Sequence, residues 1–122
     1  MKKCKMSKVK IIAEAGVNHN GSFSNIIQMI DIAYEAGADF IKFQTFKAKN
    51  LVSSFALKAE YQKKNTSENK DQYSMLKELE IPEKWYCKII SHCIDKGIGF
   101  LSSVFDIESV DFLIKHGISI FK

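Results

Sequence analysis

The same local pattern occurs three times along this chain of 122 residues: a helical segment, a glycine and then a short apolar run. The three glycines are Gly37, Gly97 and Gly117. A glycine just past the end of a helix adopts the left-handed conformation that lets the chain turn into a strand. Helices that alternate with strands in this way indicate βαβ units, whose strands are parallel. The sequence therefore predicts an α/β fold built on a parallel sheet.

The apolar runs also predict the limits of the elements. We expect strands near residues 9–14, 39–44, 98–103 and 118–122, in sequential order, and helices at about 24–36, 82–96 and 107–115. Ser24 or Asn25 is the expected N-cap of the first helix and Asp106 that of the third, and Pro82 suits the first turn of the second. The positions expected to face the sheet are Ile26, Ile27, Ile30, Ala33 and Tyr34, then Trp85, Ile89, Ile90, Cys93 and Ile94, and finally Val110, Leu113 and Ile114. Such strands form either an open α/β sheet or the first half of an eight-stranded barrel, since four cannot close one.

Residues 46–80 interrupt the alternation. They contain a polar stretch at residues 63–70, followed by a short predicted helix through Tyr73, Met75, Leu76 and Leu79. A long insertion after a strand of an α/β fold is often a loop that closes over substrate. Composition alone is equally compatible with a solvated excursion on the surface.

Basic charge is concentrated at the start of the chain. All 18 basic residues are lysines, and five of them lie in the first ten residues, which contain no acidic residue. The other 13 lysines stand against 14 acidic residues, a balance of −1 that argues against a nucleic-acid partner. Because arginine is absent, any bound phosphate must be held by lysines, hydroxyl groups and backbone N–H groups.

No segment is typical of a targeting or membrane sequence. The basic start lacks the apolar stretch of a signal peptide, and no apolar run approaches the ~20 residues that span a bilayer. Cys4, Cys87 and Cys93 have no metal-ligand spacing with the histidines. We therefore expect a cytoplasmic protein with reduced thiols, without membrane attachment and without a metal site made by this chain.

Polar residues lie at the ends of the apolar runs, where parallel sheets covered by helices bind their ligands. Glu14 follows the first run, Lys42 lies within the second, and Ser103 ends the third. A lysine inside such a run is unfavourable unless an anion or a carboxylate meets it, and Lys122 repeats the arrangement in the last run. Two lysines and a serine at one edge suit a substrate with phosphate or carboxylate groups. Glu14 is either part of this site or a structural ion-pair partner of Lys42, and His19 in the polar turn 18–21 is interpreted as structural.

Several stretches closely resemble the N-terminal half of the sialic acid synthase family, which includes N-acetylneuraminate, legionaminate and pseudaminate synthases. They are residues 11–21, 42–47 and 100–106, and residues 58–62 with Asn65-Thr66 also resemble a loop of the bacterial enzymes. The resemblance implies a (β/α)8 TIM barrel followed by a small antifreeze-like domain. Residues 9–122 would be the first half of that barrel, preceded by a basic tail at residues 1–8.

The resemblance also implies a transferase that condenses phosphoenolpyruvate with an N-acylated mannosamine-type sugar and releases inorganic phosphate. Lys42, Ser103 and Lys122 match its phosphoenolpyruvate-binding positions. Glu14, the expected catalytic residue, matches a position that contacts the sugar, as do Gln44 and Asn65. The family often has threonine then proline where this chain has Ser103-Val104, which puts the local turn in question. The family's divalent metal, Mn or Mg, is held by a histidine pair in the second half of the barrel, so this chain lacks those ligands, and the complete enzyme is expected to be a homodimer.

Three interpretations follow for function. The first is the N-terminal half of an N-acetylneuraminate synthase-like enzyme, with legionaminate or pseudaminate synthase as the alternative. The second is another barrel enzyme, such as a related 3-deoxy-sugar-acid synthase, which the motif at residues 14–21 together with residues 42–44 argues against. The third is an inactive half-barrel that acts only through association. The isolated chain is expected to be inactive.

Overall fold

A computed structural model describes residues 8–52 and 66–122, with side chains from residue 72 onward in the second range. The strands are β1 (Ile12–Gly16), β2 (Phe40–Thr45) and β3 (Gly99–Val104). The helices are α1 (Phe23–Glu35), α2 (Thr66–Leu79), α3 (Glu83–Lys96) and α4 (Ile107–Lys115), and residues 48–52 are also helical. The glycine pattern thus predicted the order of the elements and the positions of α1, α3 and α4.

The three strands form one parallel sheet in the order β1-β2-β3, as predicted. The predicted strand at residues 118–122 is wrong as an element: in the described part of the chain it contributes one parallel bridge, between Ser102 and Phe121. The N–H of Lys122 donates to the Ser102 carbonyl (3.0 Å), and the Lys122 carbonyl accepts from the N–H of Val104 (3.1 Å). This segment pairs on one side only, so few backbone bonds hold it in the sheet.

The helices cover one face of the sheet. Successive side chains of a strand point to opposite faces, and Ile41, Phe43 and Phe100 are turned into the helix layer, where each is at most 8% exposed. The core that they form continues into Ile26, Ile30 and Ala33 of α1, Tyr86, Ile89 and Cys93 of α3, and Leu113 of α4. The opposite face carries the apolar side chains of Ile12, Phe40 and Leu101 together with polar residues of the strands.

Helix α1 begins slightly earlier than the sequence predicts. Its N-cap is Ser22, whose Oγ accepts from the N–H of Asn25 (3.3 Å), so the prediction of Ser24 or Asn25 is wrong. Phe23, the first helical residue, packs against Trp85 with ring centroids 5.4 Å apart. This contact with α3 extends α1 by a residue that local propensity left outside it.

Local capping sets the starts of the later helices. Asp106 caps α4 as predicted, and its Oδ1 accepts from the N–H of Ser109 (2.8 Å). Pro82 stands immediately before α3 as its N-cap rather than inside its first turn. The extended ψ of 135° at Pro82 lets the chain enter the helix at Glu83.

Three residues that were expected to face the sheet are instead exposed: Tyr34 (48%), Ile94 (72%) and Ile114 (55%). A helix that packs on a sheet buries only the stripe in contact with it, and the described residues supply no second layer over the outer flanks. In α3 the buried stripe includes Tyr86, which the sequence analysis left out of the inward-facing set, whereas Trp85, which it included, is only partly buried.

Gly21 should tolerate substitution much less than Gly37. Both have positive φ (70° and 81°), but a Cβ on Gly21 would lie 2.5 Å from the carbonyl oxygen of Glu78, whereas one on Gly37 would have no atom within 4 Å. We expect Gly21→Ala to lower the free energy of unfolding by about 3 kcal/mol and Gly37→Ala by about 1 kcal/mol. Urea unfolding followed by Trp85 fluorescence measures both. Equal losses would contradict the close packing of Gly21 against α2.

Candidate functional site

Four of the predicted site residues lie on the sheet face opposite the helices. Glu14 of β1 and Lys42 of β2 are register partners, and Gln44 of β2 and Ser103 of β3 are register partners nearer the carboxyl ends. All four alternate along their strands with residues of the helix-facing side, so their side chains share the other face. The structure thus assembles these residues on two neighbouring rungs of the sheet.

Glu14 and Lys42 form the ion pair that the sequence had left as an alternative. The Nζ of Lys42 lies 2.6 Å from the Oε2 of Glu14. The Lys42 side chain is only 15% exposed, whereas that of Glu14 is 56% exposed. A largely buried ammonium group needs a counter-charge. Glu14 supplies it here, and an anionic ligand on this face would approach the same ammonium.

Gly16 separates two of the polar groups. Strand β1 continues past Glu14 through a bulge between Glu14 and Gly16, so Glu14 lies inside the strand rather than at its end. A Cβ on Gly16 would lie 3.7 Å from both the Nε2 of Gln44 and the Oε1 of Glu14. Because Gly16 has no side chain and a φ of 55°, the amide and the carboxylate face the same open space.

Lys122 lies beside Ser103 through its backbone. The N–H of Lys122 bonds to Ser102 and its carbonyl to Val104, the residues on either side of Ser103. The bond from the Val104 N–H could not form if proline stood at that position. With valine in place of the family's frequent proline, the chain continues as a strand to Val104, the last residue of β3. Asn65 lies outside the described residues.

His19 is fully buried in the middle of the turn that follows β1. Its Nδ1 accepts from the N–H of Gly21 (3.0 Å), and its carbonyl accepts from the side chain of Asn25 (3.2 Å). The proton of the neutral ring is therefore on Nε2, which has no hydrogen-bond partner among the described residues. Burial lowers the pKa of His19 below its ordinary value of 6.5. These contacts agree with a structural histidine that is neutral in the folded state.

The stability of the fold should fall as the pH drops below about 6.5. Burial lowers the pKa of His19 in the folded state, so the unfolded state binds more protons in this range. The slope cannot exceed about 1.4 kcal/mol per pH unit for a single proton. His19→Asn, whose amide oxygen can accept from Gly21, should reduce the slope between pH 7 and 5 in urea unfolding, and the remaining slope belongs to carboxyl groups such as Asp31 whose pKa is lowered in the fold. The control is Leu113→Ala, which should lower stability but keep the slope. A slope in His19→Asn equal to that of the unaltered chain would contradict the assignment.

A second polar cluster, which the sequence did not predict, holds the chain where it leaves β2. The Nζ of Lys47 lies 3.6 Å from the Oε1 of Glu80 and 2.5 Å from the Oε1 of Glu83. Glu80 Oε2 accepts from the N–H of Ala48 (3.1 Å), and Asp106 Oδ2 accepts from the N–H of Lys47 (3.2 Å). In the sequence, the only sign of this cluster was the position of Lys47 at the end of an apolar run. Its acidic partners lie more than 30 residues further along the chain and could be identified only from the fold.

The described residues form neither a metal-binding cluster nor a membrane-spanning helix, and the buried cysteine among them belongs to the core. Within residues 8–52 and 72–122, no group of three or more histidine, cysteine, aspartate or glutamate side chains is arranged to hold a metal. Burial raises the pKa of the Cys93 thiol to about 12, so it is a protonated core residue at neutral pH. No helix in these ranges is long and apolar enough to cross a bilayer.

Known proteins match nearly the whole of this chain. The N,N'-diacetyllegionaminic acid synthase of Campylobacter jejuni is 50% identical over 117 residues, which are 96% of this chain and 35% of that protein. The N-acetylneuraminate-9-phosphate synthase of Mus musculus is 34% identical over 112 residues, 92% of this chain and 31% of that protein. The chain therefore spans about a third of the length of these relatives.

A solved structure agrees with this result. The crystal structure of N-acetylneuraminic acid synthetase from Leptospira borgpetersenii, in complex with citrate, matches with a TM-score of 0.76 and 30% identity, over 94% of this chain and 35% of that one. This likeness confirms the prediction of a partial TIM barrel rather than the alternative of an open α/β sheet. The model of the NeuB family matches residues 29–122. On this evidence the chain belongs to the NeuB family.

Proposed function

We propose that the complete protein condenses phosphoenolpyruvate with an N-acylated mannosamine-type sugar to give a nonulosonic acid and inorganic phosphate. Residues 9–122 supply the first half of the barrel in this proposal, and residues 1–8 are a basic tail. The names of the relatives, which are synthases of legionaminic, pseudaminic and neuraminic acids, support this class of reaction. We propose N-acetylneuraminate as the product, with legionaminate and pseudaminate as the alternatives.

The environment of Lys42 carries the proposal. Its ammonium group is largely buried on the face of the sheet that the helices do not cover, with one exposed carboxylate as its partner. Ser103 lies one rung further along, and Lys122 lies beside Ser103. Two cations and a hydroxyl in the carboxyl-terminal part of one sheet face suit a small substrate with both a carboxylate and a phosphate.

In the proposed reaction the methylene carbon of phosphoenolpyruvate attacks the aldehyde carbon of the open-chain sugar. Positive charge develops at the enol carbon, water adds there, and phosphate leaves from the tetrahedral intermediate. Lys42 and Lys122 neutralise the carboxylate and the phosphate, and Ser103 donates its hydroxyl proton to the same anion. These groups hold the enol carbon in place and offset the negative charge that the departing phosphate carries.

The sugar is held from the β1 side. Glu14 orients sugar hydroxyl groups or stabilises the developing cation, and the Gln44 amide, which faces the same space across Gly16, contacts the sugar. Asn65 is proposed as a further sugar contact. We also propose that the complete enzyme uses a divalent metal, Mn or Mg, which a histidine pair in the second half of the barrel would hold and which would polarise the aldehyde. The described residues of this chain form no cluster of three or more such ligands. A cytoplasmic location and a homodimer of the complete enzyme belong to the same proposal.

Phosphoenolpyruvate binding tests the proposal without requiring turnover. The 15N-labelled chain is titrated with phosphoenolpyruvate, pyruvate or inorganic phosphate, and amide shifts are followed. We expect phosphoenolpyruvate to bind more tightly than either smaller anion, with the largest shifts at Lys42 and Ser103, because it alone engages both charged ends of the site. Equal affinity for phosphate and phosphoenolpyruvate, or shifts confined to the exposed lysine Lys49, would contradict the proposed site.

The exposed apolar residues at the two edges of the sheet favour a second function, association with another chain. These residues are Val9 (81% exposed), Ile11 (60%), Ile12 (49%) and Ile120 (57%). Strand edges with apolar side chains favour pairing with further strands. A half-barrel that acts only through association would bind a partner at these edges and would not bind phosphoenolpyruvate, so the same titration separates the two functions.

A further inference from the structure

Three buried hydroxyl groups form a continuous line from helix α3 to the carboxyl ends of β2 and β3. The Oη of Tyr86 donates to the Oγ1 of Thr45 at 3.0 Å. The Oγ1 of Thr45 lies 2.7 Å from the Oγ of Ser102. The three residues are 1%, 5% and 0% exposed, so the line is closed to solvent.

The direction of these hydrogen bonds follows from proton counting, since each hydroxyl group has one proton to donate. Tyr86 donates its proton to Thr45. The Thr45–Ser102 distance alone allows either oxygen to donate, and donation from Thr45 to Ser102 is the arrangement in which each of the three protons has an acceptor. Ser102 then donates to the carbonyl of Ser103 at 3.1 Å, with the carbonyl of Phe43 at 3.4 Å as the alternative acceptor. Burial raises the pKa of Tyr86, which keeps its phenol protonated as the first donor.

The line ends on a peptide group that belongs to the proposed anion site. The Ser103 carbonyl shares its peptide group with the N–H of Val104, and that N–H donates to the carbonyl of Lys122 at 3.1 Å. One peptide group therefore connects the buried hydroxyl groups to both Ser103 and Lys122. The neighbouring residues on the helix side, including Phe43 and Phe100, are apolar. Polar groups buried there lose hydration that only these mutual bonds replace.

We propose that Tyr86, Thr45 and Ser102 are positioning residues, which orient the Ser103–Val104 peptide group and thereby hold the Ser103 hydroxyl and Lys122 at the anion site. The inference rests on the proposed function for its ligand. The role of the three residues is to fix the peptide plane from the helix side, without contacting the substrate.

Conservative variants test the proposal. Tyr86→Phe and Thr45→Val each remove one hydroxyl group with little change of shape. Both should weaken phosphoenolpyruvate binding about 3- to 10-fold, as expected for the loss of a neutral hydrogen bond. Thr45→Ser keeps the hydroxyl group and should bind within about twofold of the unaltered chain. Cys93→Ala, in the same helix and 1% exposed, should lower stability without changing the affinity.

Hydrogen exchange of the Val104 amide in the ligand-free chain gives an independent measurement. Relative to the amides of β2, it should be about 3- to 10-fold faster in Tyr86→Phe and Thr45→Val and unchanged in Thr45→Ser and Cys93→Ala. Unchanged exchange in the first two variants would overturn the inference, and so would faster exchange with an unchanged affinity. If the unaltered chain bound no phosphoenolpyruvate, the proposed function would fail, while the exchange rates would still decide whether the hydroxyl groups orient the peptide.

Discussion

Replacing Lys42 by methionine should weaken phosphoenolpyruvate binding about 10- to 100-fold. Methionine keeps the length and apolar stem of the side chain but removes the ammonium group, and one charge-assisted hydrogen bond contributes about 1.5–3 kcal/mol, where 1.4 kcal/mol is a factor of ten. Isothermal titration with phosphoenolpyruvate measures the dissociation constant. In a complete enzyme the same change should affect phosphoenolpyruvate more than the sugar.

Lys49→Met is the matched control, because the Lys49 side chain is 65% exposed and pairs with Glu108 rather than with the site. It should leave the dissociation constant within about twofold of the unaltered chain, in line with the small energies of exposed ion pairs. Glu14→Gln separates ligand binding from ion pairing: it removes the partner of Lys42 without removing the cation. An unchanged dissociation constant in Lys42→Met would show that the Glu14–Lys42 pair is structural only.

The 122-residue chain tested alone should release no phosphate and should self-associate. In the proposed function the metal-binding histidine pair would belong to the second half of the barrel, so the 122 residues tested alone would not activate the aldehyde. The apolar residues at the sheet edges are exposed, among them Val9 at 81% and Ile11 at 60%. Two copies could cover these surfaces by pairing their edges, but they would not recreate the missing ligands.

Light scattering coupled to size-exclusion chromatography measures the association, and a phosphate-release assay with manganese and both substrates measures turnover. Ile11→Lys, which adds charge to the β1 edge, should shift the population toward monomer. A stable monomer that releases phosphate only when both substrates are present would contradict the prediction. It would mean that the essential chemistry lies within these 122 residues.

Much of the fold could be predicted because the signals for alternating helices and strands are local. A glycine after a helix, a capping side chain such as Asp106 and a run of apolar residues each act within a few positions of the chain. The prediction of a strand at residues 118–122 failed because a strand depends on the backbone of a neighbour. Similarly, Ile94 and Ile114 match an apolar stripe, but their burial depends on whether another layer covers them.

From the sequence alone it could be predicted which polar residues the strands carry, because Glu14, Lys42 and Ser103 follow or interrupt apolar runs. Their place along the strands was predicted less well, since Glu14 lies inside β1 rather than at its end. Which of these residues meet could be seen only in the folded protein. The pairing of Glu14 with Lys42 depends on strand register, and the contact of Tyr86 with Thr45, 41 residues apart, depends on how α3 is rotated over the sheet. The physical reason is that register and helix rotation are set by packing the whole core at once, so no single segment encodes them.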